Sequence, residues 1–190
     1  YNSSSIVIGL IFYSFQIYCD FYGYSTIAVG CAKSMGFNLM DNFKHPYLSQ
    51  SISEFWQRWH ISLSTWFRDY VYFSLGGNKV GVKRWILNIL VVFVLSGLWH
   101  GANWTFILWG AVHGIIYIIE SHVSKIPLSI PSGKVFQAIV KYLRILKNFS
   151  IVTLIWILFR AANISQVNSI FKSIKQNFKL SDDFHVDQRV

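Results

Sequence analysis

The sequence has 190 residues, of which 53% are hydrophobic, 18% aromatic and only 13% charged, with 17 Lys and Arg against 8 Asp and Glu. A soluble domain carries about 25% charged residues, so this chain has too few charges to cover a water-facing globule. The same composition excludes a disordered, collagen-like or coiled-coil chain. The net charge of +9 would suggest nucleic acid in a soluble protein. Here the basic residues lie between long apolar runs, so we expect membrane lipids, and no nucleic acid, as partners.

The N-terminal segment is predicted to enter the membrane at once. Residues 1–19 contain no Asp, Glu, Lys or Arg, and that length is sufficient for one transmembrane helix. The chain opens without an initiator Met and without a signal peptide of the usual form. We therefore expect this sequence to be an internal piece of a longer protein.

A second apolar stretch follows at residues 20–37 and carries Asp20 and Lys33. Residues 38–53 are polar and end in Ser53, which is a suitable N-cap. We expect a connector here, followed by a helix that begins after Ser53. The small residues of the apolar stretch are suited to tight helix packing in a membrane: Gly23, Ser25, Ala28, Gly30 and Ala32.

Residues 54–72 have the pattern of an aromatic amphipathic helix, with His60 at the edge of the aromatic face. Such a helix is typical of a membrane interface or of a protein-lined cavity. Arg68 and Asp69 are adjacent and do not face each other on an α-helix, so we expect each to pair elsewhere. The sequence LGGNKVG at 75–81 predicts a turn, because its glycine pair followed by Asn breaks a helix.

Residues 85–119 are the strongest candidates for membrane helices, since they carry no formal charge. As a single helix they would measure about 50 Å, well above a hydrocarbon core of about 30 Å. The sequence GAN at 101–103 therefore predicts a break into two shorter helices that are tilted, buried or re-entrant. Lys79, Lys83 and Arg84 place the first end on the cytoplasmic side by the positive-inside rule.

The C-terminal part is predicted to add a proline-containing loop at 126–134, a helix at 135–160 and a polar tail. In that tail Lys172, Lys175 and Lys179 would share one helix face at the lipid surface. The predicted fold class is therefore all-α: a polytopic transmembrane helical bundle with interfacial and short or re-entrant helices.

His100 is the first candidate functional residue, because polar groups inside lipid are costly and each needs an explanation. It ends the run VVFVLSGLWH, next to Gly101 at the expected helix break. The unpaired carbonyls of a helix end and the missing glycine side chain would leave a small cavity beside an imidazole, a group suited to proton transfer near neutral pH. The alternative is a histidine that caps the helix or hydrogen-bonds a neighbouring helix.

His60 and His113 are further candidates. His60 lies in the polar sequence QRWHISLSTWFRDY, whose side chains need partners if the helix is buried. If the helix is interfacial instead, they simply meet water. His113 lies in an uncharged helix beside Gly114, where packing or hydrogen bonding is the expected role.

Metal and phosphate chemistry find little support in the sequence. There is no HxxxH, HExxH or CxxC spacing, and Cys19 and Cys31 are the only cysteines. We predict no metal site, although the residues leave haem ligation by two intramembrane histidines open. LGGNKVG lacks the spacing of a phosphate-binding loop, and no GxSxG motif marks a serine nucleophile.

Two separated motifs carry a resemblance to a known family. The run EFWQRWHISLSTWFRDYVYFSLGGNKVG, followed by LSGLWHGANWTFILWGAVHG, resembles the membrane-bound O-acyltransferase family and, within it, the alginate O-acetyltransferase type. The upstream DFYGYSTIAVGCAKSMGF resembles the same type. The chain is thus expected to be a partial domain over 1–190, with a motif-bearing core at about 20–120 and C-terminal helices at 135–180.

The resemblance implies a multi-pass enzyme of the bacterial cytoplasmic (inner) membrane, with its active site in a tunnel or funnel through the membrane. The family's essential histidine matches His100 in LWHG, and a second important polar position matches His60 in RWHISLS. Trp99, Asn103 and Arg58 lie within three residues of these two positions and are predicted to contact substrate.

The resemblance also implies the reaction and its partners. An acyl group, expected to be acetyl, moves toward hydroxyls of an exported polysaccharide, with a separate extracytoplasmic acetyltransferase or acyl-carrier partner. The donor is expected to be acetyl-CoA or another acyl thioester, and no cofactor is expected to be bound.

The chemistry of acyl transfer agrees with these residues, because it needs an activated acceptor oxygen and a stabilised oxyanion. We expect neutral His100 to remove the acceptor proton and His60 to orient the acceptor or stabilise charge. Two rival functions stay open. One is D-alanyl transfer to teichoic acid, whose transferases share the RWH, WFRD and WHG sequences. The other is a non-catalytic membrane channel or transporter whose histidines relay protons.

Overall fold

The computed structural model describes residues 3–124 and 133–176, and every regular element within these ranges is helical. The all-α prediction is therefore confirmed. The predicted loop at 126–134 falls almost entirely outside the described residues, as does Lys179. The elements are α1 (Ser3–Ser34), a 3₁₀ turn (Pro46–Leu48), α2 (Ile52–Arg58), α3 (Ile61–Trp66), a π-helix (Phe67–Tyr72), α4 (Val82–His100), α5 (Trp104–Val123), α6 (Lys134–Arg160) and α7 (Ile164–Gln176).

Four of these helices, α1, α4, α5 and α6, are long and apolar enough to cross a membrane. Helix α1 has 32 residues and measures about 48 Å, so the N-terminal apolar segment and the stretch after Cys19 form one helix. Ser25 and Ala32 on this helix are buried. The predicted tight packing at Gly23 and Gly30 is not found, because a Cβ on either would meet no described atom within 4 Å.

The predicted break at residues 101–103 is confirmed and separates α4 from α5. Asn103 caps α5, since its Oδ1 accepts a hydrogen bond of 3.2 Å from the Thr105 amide. The two helices pack at glycine contacts. A Cβ on Gly97 would lie 2.2 Å from the Phe106 carbonyl oxygen, and one on Gly110 would lie 2.1 Å from the Phe93 carbonyl oxygen. Small residues allow such close approach of membrane helices, and here they fix how His100 at the end of α4 lies against α5.

The predicted helix over 54–72 is wrong, because the structure divides this segment into three. Helix α2 starts earlier than predicted, with Ser51 rather than Ser53 as its N-cap; the Ser51 hydroxyl accepts a 3.1 Å hydrogen bond from the Glu54 amide. It ends before a left-handed residue, His60, after which α3 begins. The π-helix continues directly from α3. Helical periodicity predicts which residues share an apolar helix face. It does not detect a local break in the helix that is held by a distant segment.

The prediction that Arg68 and Asp69 each pair elsewhere is wrong, because they pair with each other. Arg68 Nε donates to Asp69 Oδ1 at 2.7 Å, and both side chains are largely exposed. The exposed Arg68 side chain is long enough to reach Asp69 although consecutive residues do not share a helix face. The segment winds as a π-helix, in which the Phe73 amide donates to the Arg68 carbonyl. This pairing raises the pKa of Arg68 and lowers the pKa of Asp69 through their mutual hydrogen bond.

The core of the described chain is aromatic and includes α2 itself. Phe55, Trp59, Trp109 and Trp156 from α2, the residue after it, α5 and α6 are buried in one cluster. Helix α2 is therefore packed inside the protein rather than laid along a lipid surface. Its N-terminus is held by Glu120, whose carboxylate accepts from the Ile52 amide at 2.7 Å and from Lys147 Nζ of α6 at 3.1 Å.

A polar network joins α1, α6 and the connector between α1 and α2. The Tyr47 hydroxyl donates to the Ser14 carbonyl at 2.6 Å and accepts from Trp156 Nε1 at 3.3 Å. The Ser14 hydroxyl in turn lies 3.0 Å from the Thr153 hydroxyl. Burial raises the pKa of Tyr47, so the phenol stays protonated and keeps this network intact.

Helix α7 is amphipathic and closes the described chain against α1 and α6. Its Val167 is buried, whereas Lys172 and Lys175 are exposed. The Ser3 hydroxyl of α1 donates to the Ser173 carbonyl at 2.8 Å. The predicted lysine face is thus present for the two described lysines, and its contact with lipid stays a prediction.

Gly110→Ala should destabilise the α4–α5 contact, because the new methyl group would overlap the Phe93 carbonyl. We expect a loss of about 1–3 kcal/mol in the free energy of unfolding, measured by thermal unfolding in detergent. Gly23→Ala is the matched control, since a Cβ there meets nothing within 4 Å. Equal melting temperatures for the two variants would contradict the close crossing.

Candidate active site

His60 lies at the break between α2 and α3 with a left-handed backbone, φ 45° and ψ 55°. This conformation is uncommon for residues other than glycine, so the surrounding structure must hold it. Helix α2 ends where the Trp59 amide donates to the Phe55 carbonyl at 2.8 Å, and α3 begins where the Ser64 amide donates to the His60 carbonyl at 3.0 Å. The break turns the imidazole toward α1, where it meets Phe21 edge to face at a centroid distance of 4.6 Å.

Asn42 holds this break from the connector. Its backbone carbonyl accepts from the Ile61 amide at 3.0 Å. Its side-chain Oδ1 accepts from the Ser62 amide at 3.1 Å and from the Ser62 hydroxyl at 2.6 Å. Its Nδ2 donates to the Ser25 hydroxyl of α1 at 2.9 Å. One side chain therefore fixes the start of α3 relative to α1, and with it the position of His60. Asn42 was not predicted from the sequence, because its partners are 17 and 20 positions away.

The His60 ring is half-buried among aromatic groups. Its Nδ1 is buried and has no hydrogen-bond partner within the described ranges. Burial, with a smaller contribution from the nearby His100, lowers the pKa of His60 to about 4. The imidazole is therefore neutral at physiological pH and can donate one N–H hydrogen bond while accepting another.

His100 is the last residue of α4 and is also half-buried. Its ring lies among four aromatic rings, with centroid distances of 5.0 Å to Trp99, 6.2 Å to Phe106, 5.2 Å to Trp109 and 5.0 Å to Phe159. The next residue, Gly101, has no room for a side chain, since a Cβ would lie 2.8 Å from the Phe106 ring. The ring is thus held by aromatic packing, while the residue stays partly exposed.

Trp99 connects the two imidazoles. Its ring centroid lies 6.0 Å from that of His60 and 5.0 Å from that of His100, and the residue is 59% exposed. The structure thus brings together the two histidines and the tryptophan that were singled out from different motifs. The indole is exposed, and a substrate contact at Trp99 stays a prediction.

The other two predicted substrate contacts are engaged within the protein. Asn103 caps α5, and its Nδ2 also donates to the Ala162 carbonyl at 2.9 Å, which ties the α4–α5 break to the α6–α7 turn. Arg58 pairs with Glu54 one helical turn earlier. A substrate contact at Asn103 or Arg58 stays a prediction.

His113 is fully buried and packs against aromatic rings, including Trp56 at 5.1 Å and Trp109 at 5.1 Å. Both of its ring nitrogens lack a hydrogen-bond partner in the described part of the chain. These contacts agree with the packing role expected for His113. Among residues 3–124 and 133–176, no three or more His, Cys, Asp or Glu side chains cluster to hold a metal ion.

Two open spaces lie in the structure, and neither His60 nor His100 is among the residues that line them. A cavity of about 520 Å³ lies between the α2–α3–π segment and α4, and the polar face of the predicted amphipathic helix, including Gln57, Ser64 and Arg68, lines it. A groove of about 430 Å³ runs along α1. Its lining includes Phe21, which contacts His60, and Phe159, which contacts His100.

The four apolar helices and the adjacent imidazoles define a class: a helical membrane protein with a histidine site at the end of one span. The chain belongs to the membrane-bound O-acyltransferase family, whose sequence model matches residues 3–161.

Several curated relatives are similar over most of the chain. The probable alginate O-acetylase of Azotobacter vinelandii is 46% identical over 159 residues, covering 83% of this chain. The peptidoglycan O-acetyltransferase of Helicobacter pylori is 38% identical over 165 residues, covering 85%. The teichoic acid D-alanyltransferase of Bacillus subtilis is 40% identical over 123 residues, covering 60%. In each case the match spans about 30% of the relative's length.

Asn42→Ala should release the break at His60, since it removes the side-chain bonds to Ser25 and Ser62 and leaves their groups unpaired. We expect a loss of about 1–3 kcal/mol in stability and faster trypsin cleavage after Lys44 and Arg58. Asn38→Ala, at an exposed position of the same connector, is the matched control. Identical cleavage rates in the two variants would show that Asn42 does not hold the segment.

The low pKa of His60 predicts a specific pH dependence of stability. In the folded state the ring stays neutral down to about pH 4, whereas in the unfolded chain it protonates near its ordinary pKa of about 6.5. The contribution of the neutral His60 ring to the free energy of unfolding is therefore complete above about pH 6.5. It is lost as the pH falls toward 4 and changes no further below that.

An NMR titration of the His60 ring should give a midpoint near 4, and unfolding measured between pH 7 and pH 4 should depend less on pH in His60→Gln than in the parent. His122→Gln, at an exposed histidine, controls for loss of an imidazole. A His60 midpoint near 6.5 would contradict the buried environment.

Proposed function

We propose that the protein containing this chain is a membrane O-acyltransferase that moves an acyl group, specifically acetyl, toward hydroxyls of an exported bacterial polysaccharide, with His100 as general base. The convergence of His60 and His100 on the two sides of Trp99 carries this proposal. The names of the alginate and peptidoglycan relatives support the acetyl group and the class of acceptor.

The proposed reaction uses an acyl thioester such as acetyl-CoA as donor. His100 takes the proton of the acceptor hydroxyl while the hydroxyl oxygen attacks the thioester carbonyl carbon. The tetrahedral intermediate then collapses to the ester, and the departing thiolate recovers the proton from the imidazolium. A general base of this kind accelerates a reaction by about 10²–10⁴-fold.

His60 is proposed to assist this step as a neutral hydrogen-bonding group. Its low pKa keeps the ring neutral at neutral pH, so it can donate one hydrogen bond and accept another. An N–H from this ring can orient the acceptor or stabilise the oxyanion.

The location and partners follow from the same proposal. Four apolar helices suit a multi-pass protein of the bacterial inner membrane, with Lys79, Lys83 and Arg84 on the cytoplasmic side. Such an arrangement separates a cytoplasmic thioester from an exported polymer. We therefore propose that a separate extracytoplasmic acetyltransferase or acyl-carrier partner completes the transfer.

D-Alanyl transfer to teichoic acid is a second candidate, favoured by the 40% identity to the teichoic acid D-alanyltransferase over 123 residues. The two functions differ in the ester that they produce. Mild alkaline release of cell-envelope esters, followed by chromatography, would yield acetate for the first candidate and D-alanine for the second.

His100→Ala in the whole protein should abolish the polymer-bound ester in cells, because the acceptor hydroxyl would lose its base. The measurement is released acyl group per unit of polymer at matched protein expression in the membrane. His122→Ala, which removes an exposed imidazole far along α5, should leave the ester content unchanged. Normal acylation in the His100 variant would defeat the proposed role.

A further inference from the structure

His113 is a fully buried polar side chain that the proposed reaction does not use. It lies on α5 between Gly110 and Gly114, both of which contact α4 closely. Its ring packs against Phe93 of α4 at a centroid distance of 6.4 Å and against Trp56 of α2 at 5.1 Å. His113 is thus enclosed where α2, α4 and α5 meet, so its surroundings do not depend on what covers the outer faces of this chain.

The rings of His113, Trp56 and Trp109 form a closed group in which each ring contacts the other two. The centroid distances are 5.1 Å from His113 to Trp56, 5.1 Å from His113 to Trp109 and 5.6 Å between the two indoles. The three interplanar angles are 82°, 74° and 75°, so each contact is edge to face. Edge-to-face contacts are a preferred geometry of aromatic pairs, so this group fixes the relative orientation of its members.

Packing explains the ring of His113 but not its nitrogens. Both nitrogens are buried without a hydrogen-bond partner among the described residues, and the same is true of Nε1 of Trp56 and Nε1 of Trp109. Burying a polar group without a partner is costly, whereas an apolar group of the same shape avoids that cost. A polar side chain kept inside a membrane helix at such a cost indicates a functional role, so we looked for its connection to the candidate active site.

Trp109 connects His113 to His100. The centroid of its ring lies 5.2 Å from that of His100, at an interplanar angle of 87°, so Trp109 meets both imidazoles edge to face. Trp56 provides a second connection, because it belongs to α2, the helix that ends just before the break at His60. A change at His113 would therefore reach His100 through one indole ring and His60 through one short helix.

We propose that His113 is a positioning residue for the acyl transfer, and that its ring N–H orients the Trp109 indole, which in turn orients the His100 imidazole toward the acceptor hydroxyl. An N–H directed at an aromatic face is a weak but directional contact, and a phenyl ring at this position has no N–H to make it. His113 itself does not touch the reactants. This inference rests on the proposed acyl transfer and deepens it, since it adds a residue that sets the direction of the general base.

His113→Phe in the whole protein separates this role from packing, because it keeps an aromatic ring of similar size and removes both nitrogens. Turnover should fall by about ten-fold, since a small displacement of a catalytic group lowers the rate steeply. The acetyl-CoA concentration at half-maximal rate should not change. The midpoint of thermal unfolding should equal or exceed that of the parent, because two unpaired buried nitrogens are removed.

The assay supplies labelled acetyl-CoA to membranes that contain the whole protein and its polymer, and it follows the initial rate of polymer acetylation. His122→Phe makes the same substitution at an exposed histidine of α5 and should leave turnover unchanged. Parental turnover in His113→Phe would overturn the proposal. A His113→Phe protein that unfolds at a lower temperature than the parent, or does not fold, would also overturn it, because the imidazole would then be a purely structural group.

A double-mutant cycle tests the path through Trp109. Trp109→Phe should lower turnover by itself, because it removes the indole that contacts His100. If His113 acts through this indole, adding His113→Phe to Trp109→Phe should reduce turnover by less than about two-fold more. A further loss of about ten-fold in the double variant would show that His113 acts by another path and would overturn the proposal.

The two proposals fail in different ways. If acyl transfer itself is wrongly assigned, His100→Ala leaves the ester content of the cells normal. If only the role of His113 is wrongly assigned, His100→Ala abolishes the ester, whereas His113→Phe retains the turnover of the parent or loses it together with stability.

Discussion

The left-handed break between α2 and α3 at His60 depends on the hydrogen bonds that Asn42 makes to α3 and to Ser25 of α1. Without that break, α2 and α3 would run as one helix, and the His60 imidazole would not turn toward Phe21 and Trp99. A left-handed residue other than glycine is unfavourable by itself. The structure compensates by satisfying polar groups on both sides of the break, so the position of the His60 side chain is fixed.

The second half of the site depends on close packing rather than on hydrogen bonds. The glycine contacts between α4 and α5 bring the end of α4 against Trp109, and the ring of Phe159 from α6 closes the other side of His100. Lipid gives no hydrophobic driving force between apolar helices, so shape complementarity and a few buried polar bonds must hold them together. The Tyr47 network and the Glu120 carboxylate supply such bonds between α1, α2, α5 and α6.

Much of the architecture could be predicted from the sequence because it follows from local composition. The uncharged run around residues 101–103 predicted two helices with a break at that point, and the structure has α4 and α5 there. The sequence LGGNKVG predicted a turn, and the structure has Gly76 and Gly77 at positive φ. The proximity of His60 and His100 in one site was expected only through the family resemblance. Asn42, the burial of α2 and the π-helix at residues 67–72 were not predictable, because each depends on segments distant in the chain.

Local sequence is sufficient to predict an all-helical chain with membrane-length apolar segments, because hydrophobic length and the absence of charge are properties of contiguous residues. The sequence also shows that His60, His100 and His113 lie within predicted apolar or amphipathic helices. It further identifies the family to which the chain belongs. The contacts of His60 and His100 with Trp99 became visible in the folded chain alone. The two histidines are 40 positions apart and are brought together by packing and long-range hydrogen bonds, and no local pattern encodes those contacts.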